Sequence, residues 1–317
     1  MNSEVVPVLD SPAVLAAVSP AAAIDRCRAA FEHHARGDWV MPAKVYLDAP
    51  PDGDFRAMPA RGGGLAILKW VTSFPGNRER GLPVVTGALL LSSVETGELL
   101  AIMDCASVTS LRTGAAAAVS AQVLARRGAE TVGVIGCGEN GSWAARCLAA
   151  SGYGPGSCAD RDAGRAAALA DELGWHVGPR EAAAAADIVV TVTPGEAPVV
   201  LAEDLVPGQH FAVLGADAAG KAEVDTAAIA RLRLFCDEWG QASTGGELAG
   251  PVSRGEVSRD DVTQLGDVVI GSASGRSSDD EMTLFDSTGL AIQDLGIAAA
   301  VYEAWQAGDV PATEAPL

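Results

Sequence analysis

Three glycines spaced Gly136-x-Gly138-x-x-Gly141 interrupt the stretch TVGVIGCGENGSWAARCL, residues 131–148, where an apolar run turns helical. A strand, a glycine turn and a helix in that order make a cradle for a pyrophosphate. Gly136 permits the tight turn, Gly138 lets the backbone approach the phosphates, and Gly141 lets the helix pass close to the sheet. The free N–H groups of the helix N-terminus then face the negative charge. Asp160 ends the next apolar run 24 residues after Gly136, where a carboxylate accepts hydrogen bonds from an adenosine ribose. That carboxylate repels a 2′-phosphate and so selects NAD, while Arg161 and Arg165 leave NADP as the alternative. Glu139 and Asn140 in the turn, and Thr191 and Thr193 in the run DIVVTVTP, are further candidate cofactor contacts. A lone glycine turn also serves mere packing; the strand before it, the helix after it and Asp160 favour the dinucleotide. Cys137 reads as a small residue filling the turn and not as a nucleophile.

The second set of chemically capable residues is basic. With 22 Lys+Arg against 41 Asp+Glu, the net charge is -19, so any cluster of cations needs a reason. Lys44, Arg56, Lys69 and Arg112 lie on or beside apolar, strand-like runs. Taken singly, such a residue is ordinarily a strand-end charge reaching solvent. Four together make a receptor for a small carboxylate, with Arg112 suited to a bidentate grip. A lysine kept inside such a cluster has its pKa depressed and becomes available for proton transfer or iminium chemistry.

The acidic balance works against binding a phosphate backbone or anionic lipid, so no nucleic-acid or membrane partner is expected. The longest apolar runs, PVVTGALLLSSV and DIVVTVTP, are too short and too interrupted for the about 20 residues of a membrane-spanning helix. MNSEVVPVLDSP lacks the basic flank of a secretory or transit signal, and the cytoplasm is the expected location. The six cysteines form no CxxC, none of the four histidines makes a metal pair, and neither a disulfide framework nor a metal site is expected.

The elements that must position these residues fall into two textures. After an amphipathic helix with Ile24, Cys27 and Phe31 on one face, residues 39–112 read as short strands, with Glu95–Glu98 as a hairpin turn. From Arg112 an alanine-rich helix, stopped by Gly128, leads onward. Six apolar runs from TVGVIG to LRLFCD then alternate with helical segments to about residue 236, the pattern of a mostly parallel sheet covered on both faces. The tail is a helix with Ile292, Leu295, Ile297 and Val301 on its apolar side. The fold class is α/β: a doubly wound Rossmann domain, residues 118–287, and a β-rich α+β domain for substrate binding and dimerisation, residues 1–117 plus 288–317.

The strings MPAKVYLD, GDFRAMPA, LKWVTSFPGN, GLPVVTGALLLSSVETGELLAIMDCASVTSLRTGAAAA, VGVIGCG, LGADAAGKAEVD and FDSTGLAIQD resemble the ornithine cyclodeaminase/μ-crystallin family in its archaeal-type alanine dehydrogenase branch. The resemblance runs from about residue 38 to 305 and implies a homodimer with a Rossmann domain in mid-chain. It places substrate-carboxylate binding on Lys44, Lys69 and Arg112, and the catalytic acid of the GAD motif on Asp217. It also sets Thr113, Gly114, Ser287, Thr288 and Gly289 against the cofactor. The family's turn usually reads GxGxQA, whereas Asn140-Gly141 stands here. Cyclodeaminases carry Glu where Arg56 stands; Arg56 repels the terminal ammonium of a diamine and favours a substrate with a short neutral or an acidic side chain.

Residues and resemblance together imply an NAD-linked oxidoreductase acting on the Cα–N bond of a small amino acid or its imine. Arg112 and Lys69 would hold the carboxylate, Lys44 and Arg56 would shape the rest of the pocket, and Asp217 would take a proton from the ammonium. Alanine dehydrogenase leads. The alternatives are a cyclic ketimine reductase, an ornithine cyclodeaminase and a crystallin-like protein that binds the cofactor without turnover.

Overall fold

The computed structural model describes residues 5–195, 197–218 and 220–316; residues 1–4 and 317, which the sequence assigns to the first domain, lie outside them. In chain order come β1 (Val5–Leu9), α1 (Ser11–Ala17), α2 (Pro20–Ala35), β2 (Val45–Ala49), β3 (Gly53–Gly62), β4 (Leu65–Ser73), β5 (Val85–Ser93), β6 (Leu99–Asp104) and α3 (Cys105–Leu124). Next are β7 (Val132–Ile135), α4 (Glu139–Ala150), β8 (Gly156–Ala159), α5 (Ala163–Leu173), β9 (His176–Val177), β10 (Ile188–Thr191), β11 (His210–Val213), β12 (Arg233–Cys236), β13 (Val262–Gln264) and β14 (Thr283–Asp286). The described chain closes with α6 (Ala291–Ala307) and β15 (Thr313–Pro316). It divides into two compact units, one ending at Arg112 and resuming at Leu290, the other spanning Thr113–Gly289. The first division falls inside the continuous helix α3.

The first unit holds a seven-stranded sheet in the order β15-β1-β6-β5-β4-β3-β2. From β2 to β6 it is an antiparallel meander, and Gly97, at φ +77°, turns the β5–β6 hairpin. β4 alternates strictly: Ile67, Lys69 and Val71 are buried while Leu68 and Trp70 are exposed, as a strand with one covered face must. Register sets Lys69 opposite Met58 and Leu89, and Arg56 opposite Val71, so Arg56 and Lys69 share the covered face. Helix α6 packs over β3 and β4 and against α2. Its residues Ala291–Val301 are buried without interruption, where the sequence suggested one apolar side. The opposite face of the sheet exposes Val45, Leu47, Leu68 and Trp70.

The second unit is an eight-stranded, wholly parallel sheet in the order β13-β12-β14-β11-β10-β7-β8-β9, which bears out the Rossmann expectation. The six expected strands are present. Two more join them: β13 extends the edge, and β14 inserts between β11 and β12. They are three and four residues long.

One local expectation fails. Residues 105–112 read as the end of a strand, yet α3 begins at Cys105, and Arg112 lies two turns into a helix. Asp104 is the cause: its Oδ1 accepts the Ser107 N–H at 2.8 Å and the Ser107 hydroxyl at 2.6 Å, an N-cap that converts the chain from strand to helix at once.

Candidate active site

The basic receptor belongs to the first unit and is organised by a residue that sequence reasoning missed. Asp294, on α6, is fully buried, and its Oδ1 lies 2.9 Å from Lys69 Nζ and 3.4 Å from Arg112 Nε. Lys69 also donates to Thr109 Oγ1 at 2.6 Å, so two of its three donors are committed and one remains for a ligand. Burial lowers the Lys69 pKa and the Asp294 charge opposes that shift. Arg112 Nε makes no hydrogen bond despite being buried. Two cations thus share one carboxylate, and the set carries a net positive charge suited to one small anion. The signal for Asp294 was a lone acid within the apolar helix LAIQDLGIAAAV.

Arg56 is buried on the same sheet face as Lys69, held by Asp54 on its own strand through Nε–Oδ1 at 2.6 Å and Nη2–Oδ2 at 3.2 Å. Its guanidinium lies over the Tyr46 ring, 5.3 Å from the centroid. Lys44 precedes β2 and is half-buried.

In the second unit the other candidates collect at the carboxyl ends of the parallel strands, where open α/β sheets bind ligands. Gly136 follows β7 at φ +100°, and a Cβ there would collide with the Val192 carbonyl oxygen. A Cβ at Gly141 would strike the Gly136 carbonyl oxygen, which accounts for glycine beside Asn140 in this turn. Gly138 differs, since a Cβ there would meet nothing nearer than Arg165 Nη1 at 3.9 Å. It also caps α4 without a side-chain cap hydrogen bond. The turn therefore has two packing glycines and one that opens onto the helix N-terminus. Asp160 follows β8, and its carboxylate accepts the Cys137 and Asp162 N–H groups at 2.6 and 2.8 Å. It ties the glycine turn to the next strand and retains lone pairs for a ribose. Arg161 follows it in the chain, and Glu139 opens α4. The Cys137 thiol is buried against Ala159 O, and its pKa is raised by a hydrogen bond with Cys158 and by burial, the behaviour of a filler.

The Thr113 and Ser287 hydroxyls are buried without a hydrogen-bond partner. Orphaned donors of that kind, with the open face of Gly138, fit NAD at this edge. The Thr191 hydroxyl donates to Glu223 Oε2 at 2.9 Å. Thr193 and Gly215 donate backbone N–H groups to the same carboxylate at 2.6 and 2.7 Å. Glu223, unassigned by sequence reasoning, thereby joins the segment after β10 to the one after β11, which carries Asp217. Asp217 itself pairs with Lys221 at 2.6 Å and is partly exposed.

Three further buried acids support this edge. The Glu247 carboxylate accepts the Glu223 and Val224 N–H groups at 2.8–3.1 Å. Asp286 accepts the Leu248 N–H at 3.1 Å, and burial together with the Asp237 charge raises its pKa well above the usual carboxylate range. Asp237 accepts from the Thr288 hydroxyl at 3.0 Å and the Gly289 N–H at 2.7 Å.

A wholly parallel doubly wound sheet with a glycine turn after its strand β7 makes the second unit a Rossmann domain, and the first unit buries the Lys69–Asp294–Arg112 cluster. The chain belongs to the ornithine cyclodeaminase/mu-crystallin family, whose model matches residues 8–309. It is 41% identical over 304 residues to an alanine dehydrogenase of Archaeoglobus fulgidus, covering 93% of this chain and 94% of that one. Among solved structures, an archaeal alanine dehydrogenase dimer with bound NAD superposes with a TM-score of 0.94 at 38% identity, over 98% of this chain and 99% of that one. The iminosuccinate reductase of Paracoccus denitrificans in complex with NAD+ gives 0.89 at 30% identity, over 99% and 100%.

The contrast between the glycines can be measured. Gly138→Ala should leave the thermal unfolding midpoint nearly unchanged and weaken NAD binding about tenfold or more by obstructing the phosphates. Gly141→Ala should lower the midpoint even without NAD; calorimetric scans with and without the nucleotide separate the two. Burial, assisted by the Glu223 charge, raises the Glu247 pKa to about 7. The folded protein therefore holds this proton more tightly than the unfolded chain, and stability from this group falls as pH rises from its ordinary value, 4.5, to about 7. Glu247→Gln should flatten that slope in denaturation curves taken across this range.

Proposed function

We propose that this protein is an NAD-dependent amino acid dehydrogenase, acting on alanine or a similarly small amino acid. The observation that carries this is the buried Lys69–Asp294–Arg112 set, a receptor with room in its charge balance for one carboxylate. The first unit serves substrate binding and dimerisation, and the second binds the nucleotide. The apolar sheet face of Val45, Leu47, Leu68 and Trp70 supports a homodimer, since contiguous exposed apolar surface marks an interface. Asp160 supports NAD over NADP. A reaction drawing on NAD(H) and free amino acids belongs in the cytoplasm.

Lys69 and Arg112 hold the substrate carboxylate and fix Cα. Asp217, steadied by Lys221, accepts a proton from the ammonium, because a neutral amine must form before the Cα hydrogen can leave with its electron pair. NAD, when bound, supplies the acceptor for that pair. Lys69, with its pKa lowered by burial, exchanges a proton with the water that adds to the imine carbon. The products are a 2-oxo acid, ammonia and NADH. Holding the carboxylate at two points supplies rate by orientation.

Incubation with NAD and a panel of amino acids, monitored by nicotinamide absorbance, should show NADH formation from alanine. Ammonia release from ornithine without net NADH would instead indicate a cyclodeaminase. Silence across acyclic and cyclic substrates, despite measurable NAD binding, would sink the enzyme reading. Arg112→Ala should raise the KM for alanine by about two orders of magnitude while leaving NAD affinity intact. Asp217→Asn should lower kcat by about 100-fold or more with NAD and substrate still bound; equal damage to binding would contradict the role.

A further inference from the structure

We infer that Asp54 is a specificity residue: by keeping the Arg56 guanidinium occupied, it makes the substrate site reject acids with a second carboxylate and accept those with a short uncharged side chain. This rests on the substrate site proposed above and goes beyond it, since it names the device that separates mono- from dicarboxylic substrates. Arg56 and Lys69 lie on one covered sheet face, one ladder step apart diagonally, because Arg56 is opposite Val71 and Lys69 is opposite Met58. A substrate whose α-carboxylate rests on Lys69 and whose side chain runs along this face meets Arg56. A buried guanidinium there is a ready receptor for a side-chain carboxylate, and by itself it would recruit a dicarboxylate.

Asp54 removes that opportunity. It stands two residues before Arg56 on β3, hence on the same face, and meets the guanidinium fork with both oxygens, Oδ1 at 2.6 Å and Oδ2 at 3.2 Å. The side chains are 8% and 21% exposed, so solvent does little to weaken the pair. Stacking on Tyr46, directly opposite in register, holds the guanidinium plane in place. An incoming second carboxylate would have to displace Asp54 or lie beside it, and either choice buries like charges together. A methyl side chain meets neither cost. The pair is thus an attraction within the protein that acts as repulsion toward the wrong ligand.

The test compares wild type with Asp54→Asn and with the double variant Asp54→Asn/Arg56→Ala. Pyruvate and oxaloacetate are titrated onto the protein–NADH complex without ammonia, monitoring nicotinamide fluorescence, and then with ammonia, monitoring NADH consumption. Wild type should bind pyruvate in preference to oxaloacetate. Asp54→Asn should shift the ratio of their affinities toward oxaloacetate by about tenfold or more, and the double variant should abolish the shift. A ratio that stays within about twofold in a variant that still binds pyruvate, or a wild type that prefers oxaloacetate or binds neither acid, would overturn the inference. The ammonia arm reports separately on the reaction. Selective binding without turnover would retain the Asp54 device and refute the dehydrogenase reading, whereas turnover with unaltered selectivity would do the reverse.

Discussion

The buried carboxylate of Asp294 is the interaction on which the rest of the first unit depends. Lys69 sits at a core-facing position of β4, 1% exposed, where an unpaired ammonium would be prohibitively costly. Asp294 makes the position tenable and at the same time draws in Arg112 from α3. Three elements from distant parts of the chain are thereby fixed around one oxygen. Helix α6 must then run against the covered face of the sheet, and its sequence must be small and apolar around a single acid. The residual positive charge is a property of the fold, present before any ligand arrives.

Acidic side chains organise the second unit in a different way. Glu223, Glu247, Asp237 and Asp286 lie at or beyond the carboxyl ends of the strands, and Glu223, Glu247 and Asp237 collect backbone N–H groups from the segments there. Each such bond satisfies a donor that burial would otherwise strand. The burial that makes these bonds strong also drives carboxyl pKa values upward, and Asp286 shows the effect most strongly. The edge that receives a dinucleotide is therefore built on rigid, charge-assisted turns, which suits a site whose reactants must be held in register.

Among relatives that share this scaffold, alanine dehydrogenase and iminosuccinate reductase differ in name by one carboxylate of the substrate. A receptor for the common α-carboxylate can remain the same while residues farther along the covered face change. Here Asp54 and Arg56 occupy that stretch as an ion pair, with the guanidinium over the Tyr46 ring.

The glycine turn, the short strands of the first unit and the strand–helix alternation of the second were all legible in the sequence, because each is a local pattern of period or spacing. The turn even declared its three glycines correctly, though their contacts were needed to show that Gly141 is demanded by the Gly136 carbonyl oxygen and that Gly138 alone is open. The apolar run ending at Asp104 misplaced Arg112 on a strand, where the Asp104 cap starts a helix. What the sequence by itself determined was the kinds of chemistry present, a dinucleotide turn and a set of cations in an acidic chain. Which cations meet, and through which acid, was decided only by tertiary structure. Lys69 and Asp294 are 225 positions apart, and no local periodicity carries information across that distance; only sheet register and helix packing bring the two charges together.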